Sequence, residues 1–326
     1  MASRWLCGLR HTRSAAFFST RLPDLSTQSN VRRCIIFNPA AKGEKARRFR
    51  RNLGAIGTEC TVKETSEAGN ARELAAESVK EGYEIIIAAG GDGTLNEVLN
   101  GIADVPGGLE RALLGVLPLG TVNVFARELG IPRQPDLAWQ TILAAHETRI
   151  DLPSMEYGAD THLQRRYFAQ LAGAGLDAQA IELVNWSLKK RIGPFAYVIA
   201  GLQALLRPPS RITVSVGPEL VEGGLVLIGN GRLYGGQFRV FPHADLRDGL
   251  LDVCVFPRVN WLTLARCGPV LLARNVLPKT LTRSYQADNF RLASTSRTPL
   301  EADGELVGQL PATFSLQRSA LRVIVP

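Results

Sequence analysis

The chain has 326 residues, 45% of them hydrophobic and 21% charged, which are the proportions of a globular protein with room for two ordinary cores. No run approaches the about 18 consecutive apolar residues of a membrane-spanning helix. Net charge is +8, but Arg4, Arg10, Arg13, Arg21, Arg32 and Arg33 face Asp24 alone in the first 33 residues, which leaves only +3 for the rest, and no basic face interleaved with aromatics marks a nucleic-acid surface. Cys7, Cys34, Cys60, Cys254 and Cys267 form no CxxC pair. They read as buried thiols of a reducing compartment, and the four histidines are too scattered for a zinc site.

Residues 1–30 are rich in Arg, Ser and Ala and almost free of acids. They read as a targeting leader or a disordered extension outside the fold. From Arg32 onward the pattern is regular. CIIFNP (34–39) is a buried strand ending in Asn-Pro, and Ala46, Phe49, Leu53 and Ile56 recur at helical spacing. TECTVKET (58–65) alternates as a strand. Ala71, Leu74, Ala75 and Val79 mark a helix, and EIIIAAG (84–90) is the continuous apolar run of a strand covered on both faces. A helix through Leu95, Val98, Leu99 and Ile102 follows, then strand ALLGVLPLG (112–120) and a helix from Val122 to Leu129. Four strand–helix alternations predict a doubly wound α/β domain over 31–148. Beyond it, YFAQLAGAG (167–175), RITVSVG (211–217), LVLIGNG (225–231), QFRVF (237–241) and LLDVCVF (250–256) predict a β-rich, antiparallel sandwich-like domain over 149–326, whose C-terminal segment is a candidate to pack back on the first domain. Two helices, roughly 178–190 and 195–207, are inserted in it.

Three loops follow strands of the first domain and should converge on one edge: NPAAKG, GGDGT and PLGTVN. None is a Walker loop, since the only Lys-Thr pair, Lys279-Thr280, follows a proline; a GxGxxG fingerprint fails at Asn96. Gly90, Gly91 and Gly93 let the backbone approach a ligand, and the helix after them offers free amides to an anion. A carboxylate inside such a loop, Asp92, makes sense if a hydrated magnesium ion lies between it and the phosphates. Thr121 and Asn123 stand at another helix start.

GGDGTLNEVLNG, LPLGTVNVFARELGIP and LEADGELVG together resemble the diacylglycerol kinase catalytic family, most of all its bacterial soluble lipid kinases, from about Ile35 to Pro326. The resemblance implies ATP- and Mg2+-dependent phosphorylation of a lipid hydroxyl, with diacylglycerol as the leading substrate, in a cleft between the two domains. It implies ATP binding by Asn38, Pro39, Ala40, Ala41 and Lys42, by Thr65, by Gly90, Gly91, Asp92, Gly93, Thr94, Leu95 and Asn96, and by Thr121 and Asn123. It implies a general base at Asp303 with Glu305 assisting. It also implies a structural magnesium held by the Asp248 carboxylate and the carbonyls of Asp245 and Leu250. Val124 stands where many members carry aspartate, and Lys42 where many carry glycine.

Trp186, Phe195, Tyr197, Val198 and Leu202 beside Lys189, Lys190 and Arg191 are candidates to meet an anionic membrane surface, or alternatively a buried helix with a basic turn. The expected partner is a lipid alcohol at that surface, with no nucleic acid and no transmembrane segment; a homodimer is one open option. The expected location is the cytoplasm with peripheral membrane contact, or an organelle if the leader is a targeting signal. The rival readings are an NAD kinase, which shares the GGDGT loop, and a lipid-binding protein without catalysis.

Overall fold

The computed structural model describes residues 31–40, 49, 60–158, 162–183, 195–208 and 210–326, with the backbone alone for 195–199. Eighteen strands lie among them. The first half contributes β1 (Arg33–Phe37), β2 (Thr61–Glu64), β3 (Ile85–Gly90), β4 (Leu113–Pro118) and β5 (Glu147–Tyr157). Then come β6 (Gln164–Tyr167), β7 (Leu171–Gly175), β8 (Ile212–Val216), β9 (Glu219–Gly223), β10 (Leu225–Gly229), β11 (Leu233–Tyr234) and β12 (Phe238–Arg239). The last are β13 (Leu251–Phe256), β14 (Arg283–Ala287), β15 (Asn289–Ser294), β16 (Pro299–Ala302), β17 (Glu305–Gln309) and β18 (Ala312–Ile324). The helices are α1 (Asn70–Lys80), α2 (Asp92–Ala103), α3 (Gly108–Arg111), α4 (Val124–Glu128), α5 (Pro135–Ala144), α6 (Leu176–Leu183), α7 (Phe195–Ala204) and α8 (Trp261–Arg274).

Strands β2-β1-β3-β4 are parallel, as the continuous apolar runs require: every residue of β3 and β4 is buried. The order continues through β18, β15, β8 and β9, with β4–β18 parallel and the later pairs antiparallel. A second sheet, β14-β13-β10-β7-β16-β17, is antiparallel throughout. Met155, Ala172, Val214, Val226, Val253, Phe290, Leu300 and Phe314 belong to one core between the two sheets, where the Phe290 and Phe314 rings stack 4.9 Å apart. The architecture is thus a parallel α/β sheet followed by an antiparallel β-rich sandwich, the expected class.

The change of texture expected at 148–149 falls inside β5, an eleven-residue strand that pairs with β18 along almost its whole length. The C-terminal strand therefore lies beside the parallel sheet and beside the sandwich at once, and Arg32–Pro326 forms one compact unit. Among the expected elements, the helix over 46–56 lies outside the described residues except for buried Phe49, which packs on Phe37 at 5.4 Å between ring centres. QFRVF shortens to the two residues of β12, because Val240 and Phe241 turn into a satellite core beneath α8.

Candidate active site

The loop after β3 is fixed by its own backbone. The amides of Leu119 and Gly120 donate to the Gly90 carbonyl at 2.9 and 3.0 Å, so the GGDGT and PLGTVN loops are one unit. Gly120 is obligatory there, since a β-carbon on it would stand 2.6 Å from the Gly91 Cα. Asn38 joins them: its amide nitrogen donates to Thr94 Oγ1 at 3.1 Å, and its side-chain oxygen accepts from Ala40 N at 2.9 Å. Pro39 follows Asn38 in this turn; Ala41 and Lys42 lie outside the described residues. Thr65, buried, donates its amide to the Phe37 carbonyl at 2.9 Å and so borders the same edge. The three strand-end loops meet as the parallel sheet requires.

Asp92 opens α2, and no side chain caps the Gly91 end of that twelve-residue helix. Its first-turn amides are free to meet an anion. The Asp92 carboxylate turns toward the start of α4, accepting from Phe125 N at 3.4 Å. Burial, and then the charge of Asp303, push the Asp92 carboxyl up to about 6, while the amides of Phe125, Val124 and Asn123 pull it back. Asn123 adopts a left-handed backbone (φ 52°) and donates from its side chain to the Gly120 carbonyl at 2.7 Å. Thr121 is exposed beside it. Leu95 and Asn96 face the other way. Leu95 is in the core, and Asn96 is fully buried, donating to Asp303 Oδ2 at 2.7 Å and to the Tyr167 carbonyl at 3.1 Å. Their side chains thus face the protein interior and not the open side of the loop.

The two acids of the DGE turn divide. Asp303, with a left-handed backbone (φ 47°), points inward. Oδ1 accepts from the amides of Gln170 and Leu171 at 2.9 and 3.1 Å, and Oδ2 from the Ala169 amide at 2.8 Å and from Asn96. Burial raises its pKa, and these four donors restrain the rise. Glu305 points outward onto the glycine loop: a β-carbon at Gly93 would collide with its Oε1. Its side chain keeps 44% of its exposure, and Oε2 lies 3.4 Å from the Arg166 guanidinium. Burial raises the Glu305 pKa, Arg166 lowers it, and Glu97 and Asp303 raise it further.

Sequence reasoning passed over the residues that join the halves of this site. Asn100 accepts from Tyr167 N at 2.9 Å and donates to the Tyr167 carbonyl at 3.0 Å, which bolts α2 to β6. Its four-residue spacing from Asn96, on the buried face of the helix, was the available signal. Glu97 accepts from the amides of Gly69 and Ala71 at 2.8 and 3.0 Å, capping α1. Beside α4 lies a cavity of about 410 Å3 bordered by Arg127, Arg239 and Arg274 with Gln237 and Asn275. Arg127 Nε donates to the Val122 carbonyl at 2.9 Å, and the three guanidinium groups together make the cavity favourable for an anion.

The proposed structural metal residues share one loop. Asp248 Oδ1 accepts from Leu250 N at 2.9 Å, and the Asp245 carbonyl from Asp248 N at 3.3 Å. Buried Asp151 anchors the loop, accepting from Gly249 N and Ser319 N at 2.7 Å each. Among the described residues no group of three or more His, Cys, Asp or Glu is placed to hold a metal. One carboxylate plus carbonyls is still an all-oxygen set of the kind magnesium accepts while keeping water ligands.

Residues 32–155 match the diacylglycerol kinase catalytic domain, and residues 170–325 match the YegS C-terminal NAD kinase beta sandwich-like domain. A diacylglycerol kinase of Staphylococcus saprophyticus is 33% identical over 305 residues, covering 90% of this chain and 94% of the relative. The chain belongs to the diacylglycerol kinase family. A second relative of the same name, from Staphylococcus carnosus, is 32% identical over the same shares. The fold is also that of a putative diacylglycerol kinase from Bacillus anthracis, with a TM-score of 0.72, 22% identity, and coverage of 91% of this chain and 95% of that one. Family membership makes the protein a lipid kinase. No helix among the described residues is long and apolar enough to cross a membrane.

Proposed function

We propose that this lipid kinase transfers the γ-phosphate of ATP to the hydroxyl of a diacylglycerol-type lipid, with Glu305 as the general base. The observation that carries the assignment is the placement of the Glu305 carboxylate on Gly93, partly open to solvent, while all the strong acceptor positions of Asp303 are filled from within the protein. A carboxylate that takes a proton from an alcohol needs a free lone pair within reach of it. Glu305 has one and Asp303 does not, so Asp303 becomes a positioning residue instead of the base expected from the motif.

The chain's own groups divide the remaining work. The uncapped amides at the start of α2, with Thr121 at the open face of the second loop, receive phosphate oxygens, and Asn38 keeps the first loop in place through Thr94. The three arginines beside α4 add a positive field for an anionic ligand. Asp92 and the uncapped helix start fit a nucleotide that brings magnesium with it. Asp92 would hold that magnesium, which would supply charge neutralisation to the phosphates. Arg166 opposes the rise that burial gives the Glu305 pKa, which favours the ionised form a base needs. Loss of the proton to Glu305 as the oxygen–phosphorus bond forms contributes roughly 10²–10⁴ in rate. Val124 removes one carboxylate from the mouth of α4 without touching Gly93 or Glu305.

The test is transfer of labelled γ-phosphate from ATP, with magnesium, to a panel of lipid alcohols in mixed micelles, with NAD as a soluble acceptor. Label on diacylglycerol is the expected result. Label on NAD alone would overturn the substrate class.

A further inference from the structure

Two carboxyl groups beside the catalytic turn have no part in that chemistry. Glu301 lies in β16, two residues before Asp303, and is 0% exposed. Asp177 is the second residue of α6, which follows β7 directly. They converge over Gly173, where a β-carbon would stand 2.9 Å from Glu301 Oε1 and 3.1 Å from Asp177 Oδ2; only glycine leaves room for both. Gly304 N donates to Glu301 Oε2 at 2.9 Å, and the Tyr234 hydroxyl donates to Asp177 Oδ1. Glu301 Oε1 is buried with no donor. Neither acid has a cation within ion-pair distance among the described residues. Two ionised carboxylates in contact in such a place repel strongly and leave an acceptor unsatisfied, whereas one proton between them removes both costs.

We propose that Asp177 and Glu301 share a single proton between Asp177 Oδ2 and Glu301 Oε1, and that this pair is the positioning device for the turn carrying Glu305. The turn needs an external anchor, because Asp303 and Gly304 both have left-handed backbones, with φ of 47° and 85°. Asp303 supplies one anchor from the β7 side, and the Glu301 contact with the Gly304 amide supplies the other. The groups facing the pair are Tyr234 from β11, Gly173 from β7, and Asp303 from its own turn. Burial raises both carboxyl groups, and for Glu301 the Asp177 charge raises it further. The shared-proton arrangement is therefore present between the two apparent pKa values of the pair and is lost as pH rises through the upper one. Ionisation then drives Glu301 from Gly304, and Glu305 loses its seat on Gly93. The activity part of this inference rests on Glu305 as the base; the shared proton does not.

Infrared difference spectra of the full chain test the proton directly. A protonated carboxyl stretch that disappears at alkaline pH, and is absent from Glu301→Gln, is expected. No such stretch in the wild type would overturn the proposal. In kinetics, Glu301→Gln places a permanent N–H donor toward Asp177 and keeps an acceptor for Gly304. It should retain wild-type kcat at neutral pH and lose the alkaline limb. Glu301→Ala should lose about 10²-fold in kcat with KM nearly unchanged, the cost of a displaced catalytic group. A Glu301→Gln enzyme as impaired as Glu301→Ala, with its alkaline limb intact, would contradict the positioning role. Normal turnover in Glu305→Gln would instead refute the base assignment and leave the infrared result to decide the pair.

Discussion

Replacing Asp303 by asparagine should damage stability first. The wild-type carboxylate accepts four hydrogen bonds, three from consecutive backbone amides of 169–171 and one from Asn96. An asparagine can accept the two at one position but presents its own NH2 to the other two donors. Two donors are then stranded, and a buried donor without a partner costs about 1–3 kcal/mol. The loss should be about 2–6 kcal/mol, which lowers Tm by roughly 3–10 °C in a unit of this size. Thermal melting followed by circular dichroism, with calorimetry to check that the transition is cooperative, measures it. The same loss should loosen the α2–β7 junction, because Asn96 gives up its partner. Turnover falls in consequence, but the surviving activity should keep the wild-type pH profile. An Asp303→Asn enzyme that melts like wild type, binds ATP and transfers no phosphate would refute this reasoning and return the base to Asp303.

Arg166→Gln removes the cation that lowers the Glu305 pKa, so the acid limb of kcat/KM should move to higher pH, with activity lost where the wild type still works; a pH–rate profile with an unmoved acid limb would exclude that role. Asp248→Ala should abolish the dependence of Tm on magnesium concentration while leaving transfer largely intact, because a ligand that binds only the folded state stabilises it by mass action. Unchanged melting together with lost activity would mean that the loop serves the chemistry.

Much of this was legible in the sequence, for local reasons. The runs CIIF, EIIIAAG and ALLGVLP could only be strands covered on both faces, and the loops after them had to share an edge once the strands were parallel. What stayed hidden depended on distant partners. GGDGTLN looks like one ligand-binding string, yet the helix period turns Leu95 and Asn96 inward while Gly93 stays at the surface of the loop. DGE offers two acids in three residues, and nothing local says which points outward. That follows from the left-handed backbones of Asp303 and Gly304 and from amides more than 130 residues away. The register of β5 on β18 is remote in the same way, and no local signal shows that one strand runs through the texture change near 149. The helix α8 was not among the expected elements; Pro269 lies inside it, and its buried positions are Thr263 and Cys267.

Single-turnover phosphate transfer with Glu305→Gln tests the central claim most directly, with ATP affinity and Tm measured on the same protein. The predicted result is a rate lowered by about 10²–10⁴ with ATP binding and melting unchanged, since the substitution deletes a base and no phosphate contact. A Glu305→Gln protein that transfers phosphate at the wild-type rate would contradict the account.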